Sequence, residues 1–159
     1  MQQRTRAAVV GSLVLLASAG AAGHPTQAPE AHGAHAIVRA DSITWRPLRP
    51  GAEIAVVGGD PDAAGAPFVI RMRYRGKVRV PPHWHPTDEH ITVLSGTFMV
   101  GMGGRYDESA AIELSAGGYM LVPARMAHFA WSAGDTVVQV HGLGPFAINY
   151  VNPDDDPRR

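Results

Sequence analysis

Four side chains of types that bind transition metals stand in two short segments of the sequence. His83, His85 and Glu89 occupy one segment, and His128 lies in a later one. Imidazole and carboxylate groups suit first-row transition metals, and four such ligands on an octahedral ion leave positions for a substrate. The chain contains no cysteine, which excludes thiolate ligands, disulfides and iron–sulfur clusters. The sequence therefore predicts one divalent metal bound by nitrogen and oxygen donors.

The positioning of these side chains requires β-strands. Side chains two residues apart in a strand point to the same face, so we expect His83 and His85 to lie together. Glu89 has the same parity, whereas His90 is expected to point away from the site. His128 begins a later run of strand-forming residues. A metal bound by all four ligands would therefore join two strands of one barrel.

Short apolar or alternating runs recur from about residue 42, separated by glycine and proline. No segment there shows a 3.6-residue apolar period of useful length, so helices are not predicted. Many short strands with regular turn signals are typical of an all-β sandwich or barrel. The predicted strands are 53–57, 67–75, 78–82, 89–95, 97–102, 111–114, 118–122, 127–131, 135–141 and 146–151.

The N-terminal residues have the features of a secretory signal peptide. Arg4 and Arg6 precede an apolar run at 7–17 that is too short to span a bilayer, and small residues typical of a cleavage site follow near 19–23. A membrane anchor is the less favoured alternative. We therefore predict export to the periplasm or secretion, with no membrane span in the mature protein. The predicted organisation is a signal peptide at 1–23, a flexible leader at 24–41, one barrel domain at 42–152 and a polar tail at 153–159.

The charge distribution limits the classes of partner. The chain carries 14 basic and 14 acidic side chains. Loss of Arg4 and Arg6 with the signal peptide leaves 12 basic and 14 acidic side chains, a net charge of −2. There is no basic patch of the size that nucleic acid requires. The expected partners are small molecules or further copies of the chain.

The spacing of the predicted ligands resembles the two motifs of the cupin superfamily. Residues 76–96 read G-x6-H-x-H-x3-E-x6-G, which is similar to the first motif, and residues 117–128 read G-x5-P-x4-H, which is similar to the second. The short stretch between them is similar to that of small bacterial single-domain cupins, the monocupins. The resemblance implies a jelly-roll barrel of two antiparallel sheets, with one metal held by the four predicted ligands.

The chain departs from the usual cupin pattern at three positions. The spacing from Gly76 to His83 is one residue longer, Arg125 stands where glycine is usual, and Ser132 stands where asparagine is usual. These differences affect turns and not the predicted ligands.

Other residues are candidates for the surroundings of the metal. Gln139 and His141 share one face of a late strand and could accept hydrogen bonds from metal-bound histidines. His141 as a fifth ligand or general base is one alternative, and a barrel residue with ordinary hydrogen bonds is the favoured one. Arg125 is a candidate anchor for an acidic substrate, as is the face of alternating arginines at 71–75, although charge runs are more often solvated.

The cupin resemblance implies several possible activities, among them dioxygenase, oxidase, decarboxylase, isomerase and lyase reactions. We favour oxidative chemistry on a small oxygenated molecule, with Glu89 either as a base or as a purely structural ligand. The alternative is a non-catalytic barrel that binds or senses a small ligand around a structural metal, because fold alone does not separate these roles. The ligand types suit Zn, Mn, Fe, Cu and Ni alike. The resemblance also implies a homodimer, and the apolar run at 146–151 could form its contact or complete the barrel.

Overall fold

The computed structural model describes residues 35–158, and its regular structure is mostly β-strand. The strands in this range are β1 (Arg46–Arg49), β2 (Ala52–Gly59), β3 (Pro67–Tyr74), β4 (Arg79–Trp84), β5 (Glu89–Ser95), β6 (Thr97–Met102), β7 (Ile112–Ser115), β8 (Tyr119–Val122), β9 (His128–Ser132), β10 (Thr136–Leu143) and β11 (Asn149–Tyr150). Helix in the same range is limited to three 3-10 segments at Ala40–Ser42, Glu108–Ala110 and Pro153–Asp155. The predicted all-β class is confirmed.

The strands form two antiparallel sheets. The order is β1-β2-β3-β10-β5-β8 in the six-stranded sheet and β11-β4-β9-β6-β7 in the five-stranded sheet. Strands that are distant in sequence pair directly, as β3 does with β10 and β4 with β9. The β4–β9 pairing brings the segment of His83 and His85 beside that of His128.

The core consists of the side chains on the inner faces of the two sheets. Strand β3 shows why, since its alternating sequence buries Phe68, Ile70, Met72 and Tyr74 and turns the residues between them outward. Full burial of one large apolar side chain contributes roughly 1.5–3 kcal/mol. The partners of these residues in the core include Ile91, Val93, Phe98, Val100, Val122, Ala130, Val138 and Val140.

The alternating arginines of β3 lie on the outward face and are occupied there. Arg71 Nε donates to the side-chain oxygen of Gln139 at 3.1 Å. Arg73 forms a two-point ion pair with the carboxylate of Glu53. The structure therefore does not support the idea that this basic face holds an acidic substrate at the predicted metal site.

Two elements differ from the predicted strands. Strand β1 was not predicted because its sequence, Arg-Pro-Leu-Arg, lacks alternation and contains Pro47, which an edge strand tolerates. In the apolar run at 146–151, only Asn149–Tyr150 forms a strand, and it pairs with β4. Phe146 packs against the core. The run thus completes the barrel, which was one of the two alternatives.

The signal peptide at 1–23 and most of the flexible leader at 24–41 lie outside the described residues, so both stay predictions. Residues 35–158 contain no helix with the length and apolar character needed to cross a membrane. In the polar tail, Arg158 forms an ion pair with Asp156 at 2.7 Å and donates to the backbone oxygen of Ile148 at 3.2 Å.

Candidate metal centre

Three histidine side chains converge between the two sheets. His83, His85 and His128 each place one ring nitrogen within 4.8 Å of the other two. All three are buried, with exposed fractions of 4%, 3% and 2%. His83 faces His128 directly across the β4–β9 pair, and their ring centroids are 4.2 Å apart. The structure thus brings together the three histidines that the sequence predicted as metal ligands.

Each of these rings is oriented by a hydrogen bond from Nδ1 to a backbone carbonyl. The distances are 2.7 Å from His83 to Pro81, 2.9 Å from His85 to Ala147 and 3.2 Å from His128 to Met126. A carbonyl oxygen only accepts, so Nδ1 carries the proton, and in the neutral ring the Nε2 lone pair is free. This arrangement is the one that prepares histidine to bind a metal through Nε2.

A β-bulge in β4 sets the position of His83. Between Val80 and His83, β4 has one residue more than the facing part of β9. The bulge contains Pro81 and Pro82, whose nitrogens cannot donate to the ladder. It accommodates the extra residue by which the chain departs from the usual cupin spacing. It also contains the Pro81 carbonyl that accepts the hydrogen bond from His83.

The carboxylate of Glu89 lies beside two of the histidines. Glu89 begins β5 and is buried, and its Oε2 is 3.4 Å from Nε2 of His85 and 3.2 Å from Nε2 of His128. Burial alone would raise the pKa of Glu89, but the adjacent His128 and His85 outweigh it and hold that pKa well below its usual range. Burial likewise lowers the pKa of His85, but the Glu89 carboxylate reverses this, so the pKa of His85 is raised.

His83 has a different electrostatic environment. Burial, together with repulsion from His128 and His85, lowers the pKa of His83 to about 3. The ring is therefore neutral at physiological pH, which is the form that binds a metal ion.

The donor atoms of His85, His128 and Glu89 have a spacing that suits a divalent metal. His85 Nε2 and Glu89 Oε2 are buried without a hydrogen-bond partner among the described residues, and a buried polar atom left unpaired costs about 1–3 kcal/mol. Two ligand atoms that each lie about 2.1 Å from one ion are ~3–3.5 Å apart. The 3.2 and 3.4 Å separations at Glu89 match this spacing. The same donors suit several metals, so they do not determine which one binds.

A cavity of about 50 Å³ adjoins the four predicted ligands. One water needs roughly 10–15 Å³ by the same measure, so the cavity holds a few groups of that size. Most of its wall is apolar and comes from both sheets. The apolar lining residues include Met72, Val80, Ile91, Phe98, Ala130, Val138, Val140, Phe146 and Ile148.

The motif resemblance is supported by a match over most of the chain. A family model described as the ChrR cupin-like domain matches residues 33–147. The chain belongs to the ChrR cupin-like family. Among curated proteins, none matches this cupin in sequence.

Solved structures resemble this cupin in fold. The polyketide cyclase RemF from Streptomyces resistomycificus has a TM-score of 0.63 at 18% identity, over 78% of this chain and 90% of its own. KdgF from Halomonas sp. has a TM-score of 0.57 at 19% identity, over 70% and 96%. Salicylate 1,2-dioxygenase from Pseudoaminobacter salicylatoxidans, solved as adducts with gentisate, has a TM-score of 0.52 at 16% identity, over 62% and 26%. At these identities the likeness shows the fold alone, and it confirms the predicted cupin jelly roll.

The structure does not bring Gln139 and His141 to the centre of this cupin. Strand β10 alternates, and the neighbouring Val138 and Val140 are fully buried, so the two polar residues point outward. The ring of His141 stacks on His90 with centroids 4.6 Å apart. The predicted contact of Gln139 and His141 with the ligand histidines is corrected. Both are barrel residues with ordinary contacts.

The side chain of Arg125 is exposed and does not line the cavity, which corrects its predicted role as a substrate anchor. Its main chain contributes instead. Arg125 has a φ of 63°, a left-handed conformation that explains the usual glycine at this position. Its backbone N–H donates to the carbonyl of His85 at 2.8 Å, which ties the turn before β9 to a ligand segment.

Sequence reasoning missed the three carbonyl acceptors, because residue types do not reveal where a backbone oxygen points. It oriented His90 correctly. His90 points away from the centre, where its Nδ1 lies 2.7 Å from the hydroxyl of Tyr119.

Proposed function

We propose that this cupin binds one divalent transition metal through His83, His85, His128 and Glu89. We further propose that it uses the metal in dioxygenase- or oxidase-like chemistry on a small oxygenated molecule. The observation that carries the proposal is the arrangement of the three rings. All three donate from Nδ1 to backbone carbonyls, which leaves Nε2 of each neutral ring free, and the buried Glu89 carboxylate lies beside His85 and His128.

A bound transition metal would supply Lewis acidity and, if redox-active, electron transfer to or from dioxygen. The chain's own residues prepare the site for it. The carbonyl contacts hold the imidazoles in one orientation, and the apolar cavity wall excludes bulk water. Glu89 supplies the one negative charge in the donor set, which offsets part of the charge of the cation.

Glu89 acts as a ligand in this proposal and not as a general base. An efficient base has a pKa near the operating pH, whereas the pKa of Glu89 lies well below its usual range. Abstraction of a substrate proton by Glu89 is therefore the less supported of its two roles.

The oxidative assignment rests on fold similarity together with the donor set. Salicylate 1,2-dioxygenase shares the cupin fold, and the imidazole–carboxylate donors suit redox-active metals. A non-catalytic barrel that binds or senses a small ligand is the second candidate. The cavity of about 50 Å³ admits a compact ligand in either role. Oxygen consumption by the iron, copper and manganese forms, measured with small hydroxy acids and phenols, would separate the two.

The test of the metal site is removal of individual ligands. His83→Ala and His128→Ala should each lose the stoichiometric metal that the parent protein binds from a mixture of Zn, Mn, Fe, Cu and Ni salts. Metal content is measured by plasma mass spectrometry after gel filtration. His90→Ala is the matched control, since this histidine lies on the same strand as Glu89 but points outward. Unchanged metal content in both ligand variants would refute the site.

We also propose that the protein is exported, with cleavage of a signal peptide near residues 19–23. The basic start, the short apolar run and the small residues after it support this. N-terminal sequencing of protein from the periplasm or culture medium tests it, and an intact N-terminus would contradict it.

The homodimer implied by the cupin resemblance is likewise a proposal. Light scattering on the purified protein measures it, and a monomer mass would exclude it.

A further inference from the structure

Arg49 is the cationic side chain, apart from the histidines, among the described residues that line the cavity. It ends β1, the edge strand of the six-stranded sheet. Tyr150 of β11 also lines the cavity wall. Both residues are only partly buried, whereas the predicted ligands are fully buried. Arg49 and Tyr150 therefore lie towards the solvent side, and the metal centre lies deeper.

A second β-bulge lies beside Arg49, where this arginine lines an apolar cavity. Consecutive side chains of a regular strand point to opposite faces, yet Leu48 and Arg49 both line the cavity. The β1–β2 register shifts between Pro47 and Arg49. Bulges next to functional sites redirect individual side chains in this way. The bulge thus lets Arg49 line the cavity wall beside Leu48, which a regular strand would not allow.

The guanidinium of Arg49 is not paired with a carboxylate among the described residues. Its hydrogen bond runs from Nη1 to the backbone oxygen of Arg79 at 3.1 Å, which uses one of five N–H donors. Four other described cations have acidic partners. Arg73 pairs with Glu53, Arg75 with Asp135, Lys77 with Glu108 and Arg158 with Asp156. Arg49 differs from these four residues in two ways: it lines the cavity, and most of its N–H donors have no partner among the described residues.

The charge of Arg49 reaches the phenols that line the cavity. Burial raises the pKa of Tyr74 and of Tyr150, and the Glu89 charge adds to the rise at Tyr74. The Arg49 charge opposes the rise at both residues. Tyr74 is buried and packs within the core. Between apolar walls such an interaction is screened less than in water. An anion in the cavity would therefore be attracted by the same charge.

We propose that Arg49 is a substrate-binding residue that holds a carboxylate, so the ligand of this cupin is a small carboxylic acid in its anionic form. The guanidinium fork matches a carboxylate in a two-point contact. The neutral phenol of Tyr150 supplies a further donor on the same side. The cavity volume of about 50 Å³ restricts the acid to a few non-hydrogen atoms beyond the metal. The orientation, with the carboxylate at Arg49 and the oxygenated end towards His83 and His128, rests on the proposed metal site.

The experiment measures binding and not turnover. Isothermal titration calorimetry compares glycolate with glycolamide, its neutral counterpart, on the zinc-loaded protein. We expect the parent to bind glycolate and to prefer it over glycolamide, and we expect added salt to weaken glycolate binding. Arg49→Met should weaken glycolate binding at least tenfold, with little effect on glycolamide. Arg49→Lys keeps the charge without the fork and should show an intermediate loss.

Arg46→Met is the matched control, because Arg46 lies on the same strand but is exposed and does not line the cavity. It should bind glycolate as the parent does. Zinc content and thermal melting are measured for every variant, so failure of the metal site is distinguishable from failure of the anion site. Zinc-loaded, folded Arg49→Met with unchanged glycolate affinity would overturn the role of Arg49. A parent protein that binds glycolate no better than glycolamide would overturn the ligand class.

Discussion

At the scale of single residues, the centre depends on main-chain acceptors as much as on the ligands themselves. A histidine in solution exchanges its proton between two nitrogens, and only the one with a free lone pair binds a metal. Backbone oxygens of Pro81, Ala147 and Met126 accept hydrogen bonds from the histidine rings and so hold the proton on Nδ1. These acceptors are main-chain oxygens, so they do not depend on the side chains of Pro81, Ala147 and Met126. The orientation of the three histidine rings therefore depends on the course of the backbone.

Acid should destabilise the metal-free protein through His83. Its folded pKa is about 3, whereas an unfolded histidine has a pKa of about 6.5. Between these values the unfolded chain binds more protons, so the free energy of unfolding falls as the pH drops from about 6.5 towards 3. His83→Gln cannot titrate and should flatten this dependence. Urea denaturation in chelator at pH 7 and pH 5 measures it. Equal slopes for the parent and His83→Gln would show that His83 does not contribute.

At the scale of secondary structure, two bulges decide which side chains face the cavity. The bulge in β4 accommodates the extra residue before His83, and the bulge in β1 lets Arg49 line the cavity wall. Ser132, which stands where cupins usually have asparagine, forms two hydrogen bonds with the main chain. Its hydroxyl donates to the carbonyl of Gly76 at 2.7 Å and accepts from the N–H of Val78 at 3.0 Å. These contacts tie β9 to the turn that precedes β4.

Strand β6 has a glycine, Gly101, opposite Phe129, the residue that follows the predicted ligand His128. Gly101 faces Phe129 across the β6–β9 pair, and a Cβ at Gly101 would overlap the Phe129 ring. Phe129 is fully buried, so it cannot move without disturbing the core. Gly101→Ala should reduce the free energy of unfolding by about 1–3 kcal/mol and weaken metal binding at the adjacent His128. Denaturant unfolding and metal titration measure the two effects.

Gly134→Ala is the control for this substitution, because no atom lies within 4 Å of a Cβ at that position. It should change stability by less than about 0.5 kcal/mol. If the two alanine variants unfolded at the same denaturant concentration, the predicted overlap at Phe129 would be excluded.

At the scale of the molecule, the centre exists only when both sheets are assembled. Glu89 comes from the six-stranded sheet, while His83 and His128 come from paired strands of the five-stranded sheet. Arg49 and Tyr150 come from edge strands of the two sheets. An ion bound by these ligands would therefore connect the two sheets, and its affinity would contribute to the stability of the whole barrel.

Removal of the metal should lower the melting temperature. A ligand that binds only the folded state at 100 times its dissociation constant stabilises that state by about 2.7 kcal/mol. For a domain of this size, that corresponds to a shift of roughly 5–15 °C. Calorimetry with and without zinc, after treatment with chelator, measures the shift. His83→Ala should show no zinc-dependent shift, and an equal shift in this variant would place the stabilising ion elsewhere.

Residue types and short-range spacing were sufficient to predict the all-β class, the three converging histidines and the outward direction of His90. The all-β class and the direction of His90 depend on a local property, the two-residue alternation that every strand imposes. The convergence of His128 with His83 and His85 was implied by the resemblance to the cupin motifs and depends on the β4–β9 pairing. The role of Glu89 as a fourth ligand stays a prediction, although the structure places it beside His85 and His128.

Other features depended on which distant strands pair. Gln139 and His141 had the right chemistry for the surroundings of the metal, but the register of β10 with β3 and β5 turns them outward. Strand β1 carries no alternation, so only its pairing with β2 reveals that Arg49 lines the cavity. Alternation distinguishes the two faces of a strand but does not say which face is covered. Long-range hydrogen bonding and bulges set the covered face and the direction of backbone carbonyls, and neither is encoded in the local sequence pattern.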